Sequence, residues 1–412
     1  MKSKKITIVT GNFYPEETAI GLYTSQFAKY LKNNGFEITV LTGFPYYPMW
    51  KIPEEYLKKN AFFEENYEGI KIVRFKQYVP SKVNFRNRII MILSFTFGLI
   101  LNSFKIRKSD LVICIIPFTS NSFVAKVISL FHKSKFWIHI QDFEFDLLID
   151  SGIGSKKSLF SRVFIKLLLK TERVILNSAN VVSSISSSMI TKIHEKSCAK
   201  DVFFFPNWVS VKNIDSTNYN QHLYFDSSKF SLLYSGNIGE KQDWDYFIEF
   251  CNLIKEEDNI EIVIVGNGGY YQKLIEKATN FSFIKFKDLV PYSELSDLLC
   301  SADAHFLFQK SDVVDSVMPS KLLGMMASSK PSIITGNEKS EVNTIITNSN
   351  GGYYLCSNNP CEAYNCVTEL KKDNKKALKM GDDAKKYVEI NFSEESVLST
   401  TLLKINSLLD EK

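Results

Sequence analysis

Three segments of this chain carry glycine or lysine in patterns suited to holding parts of a nucleotide. YSGNIGEKQDW places Gly236, Asn237 and Gly239 after a strand-like run and before a helical one, where bare backbone can approach phosphate oxygens and Lys241 adds a charge. VIVGNGGYY offers Gly266, Asn267 and Gly268, half of a dinucleotide fingerprint. Tyr271 stands where the third glycine should pack, so the loop reads as accommodating a nucleoside rather than a nicotinamide cofactor. VVDSVMPSKLLGMMAS reads as a loop entering a helix, with Pro319 suited to the first helical position. Lys321 then faces the positive end of the helix macrodipole, at a cost of about 0.3–1 kcal/mol when nothing offsets it. A diphosphate at that helix would reverse the argument and make Lys321 a ligand beside the first-turn N–H groups. In the empty protein, removing Lys321 is expected to leave the fold as stable or slightly more so. The alternative is a solvated lysine snorkelling away from the dipole.

A fourth segment, the strand end HIQDFEFD, gathers one imidazole and three carboxylates, His139 and Asp142 among them. Such a density can hold sugar hydroxyls by charge-assisted hydrogen bonds, or can be a solvated loop whose aromatics are core. CSNNPCEAYNC, with Cys356, Cys361 and Cys366, lacks the paired C-x-x-C knuckles and nearby histidine of zinc sites, so no metal is expected.

The elements that must position these loops form two cycles. KITIVT, EITVLT, DLVICII, KFWIHI and VVSSIS are strand candidates separated by helical stretches, a βαβ opening to a mostly parallel sheet. After PNW at Pro206–Trp208 and a polar stretch, FSLLYSG, IEIVIVGNG, FSFIKF, AHFLFQ and PSIIT begin a second cycle. The expected fold is α/β, two Rossmann-like doubly wound domains facing a central cleft, since ligands in such sheets bind beyond the carboxyl ends of strands. The domains are expected at 1–205 and 206–390, with a C-terminal helix over 391–412 packing back towards the first.

At 412 residues, two domains are also what length suggests. A net charge of +5 gives no nucleic-acid signature. The basic start runs directly into a strand pattern instead of a signal-peptide core, so a cytoplasmic protein with reduced thiols is expected. IIMILSFTFGLIL, bracketed by Arg86, Arg88, Lys105, Arg107 and Lys108, is too short to span a bilayer, which takes about 20 residues. It reads as a buried helix or as one lying in the interface of an anionic membrane. LFSRVFIKLLLKTERV, also basic and apolar, favours the second reading.

GNFYPEETAIGLYT, TGFPYYPMW, HIQDFEFD, FFPNW, YSGNIGEKQ and VMPSKL, in that order, resemble the colanic acid biosynthesis fucosyltransferase branch of glycosyltransferase family 4. The resemblance runs from about residue 6 to beyond 390. It implies the GT-B fold, a nucleotide-sugar donor held mainly by the second domain, an acceptor held mainly by the first, and no essential metal or cofactor. By position it implies that Gly239 and Lys241 contact the diphosphate, that Gly266 to Gly268 lie near the nucleoside, and that Gly21 faces the donor. Many relatives carry two glutamates eight positions apart before an A-x-G-x-P-like stretch. Aligning ASSKP places Ser316 and Gly324 there, so donor recognition must use other groups, Ser320 and Lys321 being nearest.

The expectation is a glycosyltransferase, retaining and metal-independent, peripheral on the inner face of the plasma membrane. It would move a sugar from a nucleotide-sugar to a lipid-linked saccharide in cell-surface polysaccharide synthesis, with Lys241 and Lys321 stabilising the leaving diphosphate. Asp142 is the first candidate for a base should the product invert. The rival expectations are a nucleotide-sugar 2-epimerase and a non-catalytic sugar-nucleotide-binding protein.

Overall fold

The computed structural model describes residues 3–17, 19–81, 85–143, 159–312 and 320–411, without the side chains of residues 19, 85, 159–164 and 320. The chain divides into two compact units, one of residues Met1–Pro206 with Leu398–Lys412, the other Asn207–Val397.

Among the described residues, the first unit holds an eight-stranded sheet: β1 (Lys5–Thr10), β2 (Glu37–Gly43), β3 (Phe62–Tyr67), β4 (Ile70–Phe75), β5 (Leu111–Ile116), β6 (Lys135–Ile140), β7 (Val181–Ser184) and β8 (Val202–Phe204), in the order β3-β4-β2-β1-β5-β6-β7-β8. Every pairing is parallel except β3 with β4. Strands such as LVICII are unbroken apolar runs because helices cover both faces of a parallel sheet. Chain order reverses between β1 and β5, which makes their carboxyl ends a switch point. From Leu398 onward the C-terminal helix, Glu394–Asp410, completes this unit, burying Leu398, Ile405 and Leu408 and pairing Lys404 with Asp201 at 2.5 Å.

The second unit holds β9 (Phe230–Ser235), β10 (Ile260–Val265), β11 (Ile284–Lys287), β12 (Ala304–Phe308), β13 (Ser332–Thr335) and β14 (Gly352–Leu355), all parallel, in the order β11-β10-β9-β12-β13-β14. Its switch point lies between β9 and β12. Phe247 and Phe306 stack at 5.3 Å in its core. The one carboxylate inside β10, Glu261, is wholly buried and answered by Lys285 at 2.5 Å, the Ser231 hydroxyl and the Asp226 amide.

Candidate active site

In the second unit the loops after β9 and β10 close on each other through backbone alone. Gly236 N donates to Val265 O at 2.9 Å, Ile238 N to Asn267 O at 2.9 Å and Tyr270 N to Ile238 O at 3.0 Å. Two glycines make this approach possible. A Cβ on Gly266, at φ +154°, would lie 1.9 Å from Gly236 O, and one on Gly268 would lie 2.3 Å from Ile238 O. The Asn267 carboxamide folds back to accept from Gly268 N at 2.7 Å. Gly239 is held by the core: its carbonyl accepts from Trp244 Nε1 at 2.9 Å and its N–H reaches Gln242 Oε1 at 3.0 Å. Lys241 is exposed, and its carbonyl accepts from Lys310 N, tying this loop to the end of β12 across the switch point.

Lys321 is the second residue of the helix Ser320–Ala327, and its side chain crosses back to this loop. Its Nζ donates to the Tyr234 hydroxyl at 2.8 Å and sits 4.4 Å over the Tyr234 ring. Tyr234, in turn, donates to Asn237 O at 2.6 Å, and burial pushes its phenol pKa well up, so it keeps its proton. A Cβ on Gly236, at φ +134°, would meet Lys321 Nζ at 3.3 Å, so the lysine lies across a bare glycine at the end of the central strand. Gly236, Asn237, Gly239, Gly266, Asn267, Gly268 and Lys321 thus converge. The lysine is not a solvated side chain pointing away from its dipole. Tyr234 is the group that the sequence hides, because a tyrosine inside an apolar strand reads as core. Gly324 lies on the same helix with only Leu299 in ordinary contact, while Ser316 and Pro319 fall outside the described residues, as does the side chain of Ser320.

In the first unit Gly21 sits in the helix Ala19–Asn33, where a Cβ would lie 2.6 Å from Glu16 O, so glycine lets the helix close on the loop after β1. That loop is pinned by Arg74, wholly buried in β4, which donates to Glu65, to Gly43 O and to Tyr14 O. In the strand end HIQDFEFD the histidine faces away from any hydroxyl-binding role. His139 is buried within β6, between Ser183 Oγ and the Gln141 amide, each at 2.9 Å, and burial pushes its pKa down to about 3. It is a neutral core group. Phe143 is buried under Lys192 and Lys196, Asp142 is half-buried just past the strand, and residues 144–146 lie outside the described ones. Cys356 and Cys361 are exposed and Cys366 buried; among the described residues no cluster of three His, Cys, Asp or Glu groups could hold a metal.

Comparison with known proteins finds similarity to glycosyl transferases. Residues 215–387 match the family model described as glycosyl transferases group 1. The chain is 30% identical over 413 residues to WcaI of Escherichia coli (strain K12), by name a colanic acid biosynthesis glycosyl transferase, covering 96% of this chain and 98% of that one. Among solved structures, the sucrose-phosphate synthase tll1590 from Thermosynechococcus elongatus superposes with a TM-score of 0.71 at 12% identity, over 99% of this chain and 100% of that one. Anabaena Alr3699/HepE in complex with UDP superposes with a TM-score of 0.68 at 11% identity, over 98% and 100%.

Proposed function

We propose, on the premise that the chain belongs to the group 1 glycosyl transferases and has the GT-B fold, that it moves a sugar from a nucleotide-sugar to a lipid-linked glycan at the inner face of the plasma membrane. The observation that carries the donor half is Lys321 lying across Gly236, where two glycine loops close on each other at a switch point. That HepE, a neighbour in fold, is in complex with UDP supports a nucleotide as part of the donor. Charge grows on the leaving diphosphate as the sugar bond breaks. A lysine already fixed by Tyr234 answers it without reorganising, a contribution usually worth about 3–4 kcal/mol per donor. Lys241, exposed on the same loop, supplies a second charge. The test is release of nucleoside diphosphate from the donor. It should depend on an added lipid-linked acceptor; an epimerase would consume the donor without one, and a binding module would release nothing.

With cations performing this task, transfer should survive chelation and retain configuration at the anomeric carbon. Loss of activity in chelator, restored by Mg²⁺ or Mn²⁺, would overturn the metal-free reading. An inverted product would instead call for a base, and Asp142 is the first residue to substitute.

The acceptor half rests on the helix Phe85–Ser103. Met91, Phe95 and Leu99 pack into the core, yet Leu93 and Phe97 stand 63% and 58% exposed on its other side. Phe104, Leu130 and Phe131 continue that apolar surface, and an apolar groove of about 700 Å³ runs between this helix and Thr119–His132. The buried reading of the run holds for one face, and the exposure of the other supports the interfacial one. Arg86, Lys105, Arg107 and Lys108 are exposed around it, as an interfacial helix requires. Among the described residues no helix is long and apolar enough to cross a membrane. The protein should sediment with anionic liposomes and be released by salt, each nearby cation being worth about 1 kcal/mol and screened over a Debye length of roughly 10 Å. Folded protein that stays in the supernatant at low salt would refute the docking surface.

A further inference from the structure

In the first unit a cavity of about 190 Å³ opens at the carboxyl ends of β1, β2 and β5, against the switch point. Asn12, Tyr46, Trp50, Arg88 and Met91 line it. Arg88 is half-buried, unlike the exposed Arg86 of the same helix, and its Nε is buried with no hydrogen-bond partner among the described residues. The nearby loop carboxylate is taken: Glu16 accepts from Asn12 Nδ2 at 2.8 Å and from the amides of Tyr46 and Tyr47 at 2.7 and 2.8 Å. The contrast with Arg74 is direct, since that arginine spends its donors on Glu65 and two carbonyls. Arg88 also lies in the first turn of the helix Phe85–Ser103, which contains no acid, so its charge opposes the dipole until an anion arrives. Tyr46 and Trp50 meet edge to face at 5.6 Å, an apolar wall for a sugar ring, and the Tyr46 hydroxyl lies beside Asn12. Directly after Arg88 on the same helix, Ile89 and Ile90 begin the exposed apolar face that Leu93 and Phe97 continue.

We infer that this pocket binds the phosphate joining sugar to lipid in the acceptor, with Arg88 as the anion-binding residue and the Tyr46 and Trp50 rings against the adjoining sugar. The inference rests on the acceptor role assigned above to this unit. The order along the helix, charge in the cavity and then apolar surface, matches the order phosphate and then lipid.

The experiment has a binding arm and a kinetic arm, both on the full chain. Inorganic pyrophosphate titrated into Lys321→Ala, whose donor site beside Trp244 is weakened, should still change tryptophan emission saturably, and the change should vanish when Trp50→Phe is added. Arg88→Gln should weaken it roughly ten- to hundredfold, the worth of a charge-assisted hydrogen bond, and Arg88→Lys less. In the kinetic arm, Arg88→Gln should raise KM by a similar factor for a diphosphate-lipid-linked glycan, leaving donor KM unchanged. The same glycan as a neutral alkyl glycoside should be used equally well by wild type and variant. Pyrophosphate that leaves Trp50 silent, equal affinity in Arg88→Gln, or equal impairment with both acceptors would overturn the site. Binding through Arg88 without any sugar transfer would keep the anion site and sink the reaction instead.

Discussion

Replacing Lys321 by alanine should weaken nucleoside-diphosphate binding and slow transfer together, each by roughly ten- to hundredfold, because a charge-assisted hydrogen bond of about 1.5–3 kcal/mol is lost. The empty protein should also soften. From sequence the lysine only opposes the helix dipole, and its removal would relieve about 0.3–1 kcal/mol. The structure adds what that reading lacked, a hydrogen bond to Tyr234 at 2.8 Å and a cation over its ring at 4.4 Å. Those contribute roughly 1 and 0.5–1 kcal/mol, so the balance turns to a net loss of about 1 kcal/mol. Melting of the unliganded variant should therefore fall by roughly 2–4 °C rather than rise. Adding Gly324→Glu should rescue neither affinity nor rate, since a carboxylate brings the wrong sign to a phosphate. A Lys321→Ala protein with normal nucleotide affinity and turnover would remove the diphosphate from this helix.

Strands buried on both faces announced themselves, and surface elements did not. LVICII, and IEIVIV apart from Glu261, are apolar without alternation, as sheet positions covered by helices require. The β3–β4 hairpin escaped because FFEENY alternates with charged residues at a sheet edge and turns on Glu68-Gly69, both at positive φ, with glutamate where asparagine or aspartate usually precedes the glycine. His139 misled through composition: three nearby carboxylates suggested a polar loop, while its place in a strand buried on both faces meant core. Arg88 misled in the opposite sense. Counted as a flanking cation, it sits three and seven residues before Met91 and Phe95, the buried stripe of its helix, so helical period alone turns it inward. Lys321 was legible because a charge against a dipole is a local conflict. Its partner was not, since Tyr234 lies 87 positions away and only the sheet brings them together.

The largest stability effect should come from a methyl group. Gly266→Ala puts a Cβ 1.9 Å from Gly236 O, in a backbone conformation at φ +154° that side-chain-bearing residues rarely adopt. Neither partner can retreat. Gly236 N is bonded to Val265 O at 2.9 Å, Ser235 and Val265 are paired in register, and Lys321 covers the other side of Gly236. Backbone strain of about 1–3 kcal/mol and overpacking of about 1–3 kcal/mol then add, because the loops must part to relieve either. The expected loss is on the order of 3 kcal/mol, a fall in melting temperature of roughly 6–12 °C, with nucleotide affinity lost as the cradle opens. Gly269→Ala, three residues on, is the control: nothing lies within 4 Å of its Cβ and its φ is not positive, so it should be neutral or slightly stabilising. Thermal melts of both variants, with and without UDP, separate the two cases. Were Gly266→Ala to melt with wild type and still gain stability from nucleotide, the close approach of the two glycine loops would not be what forms the donor site.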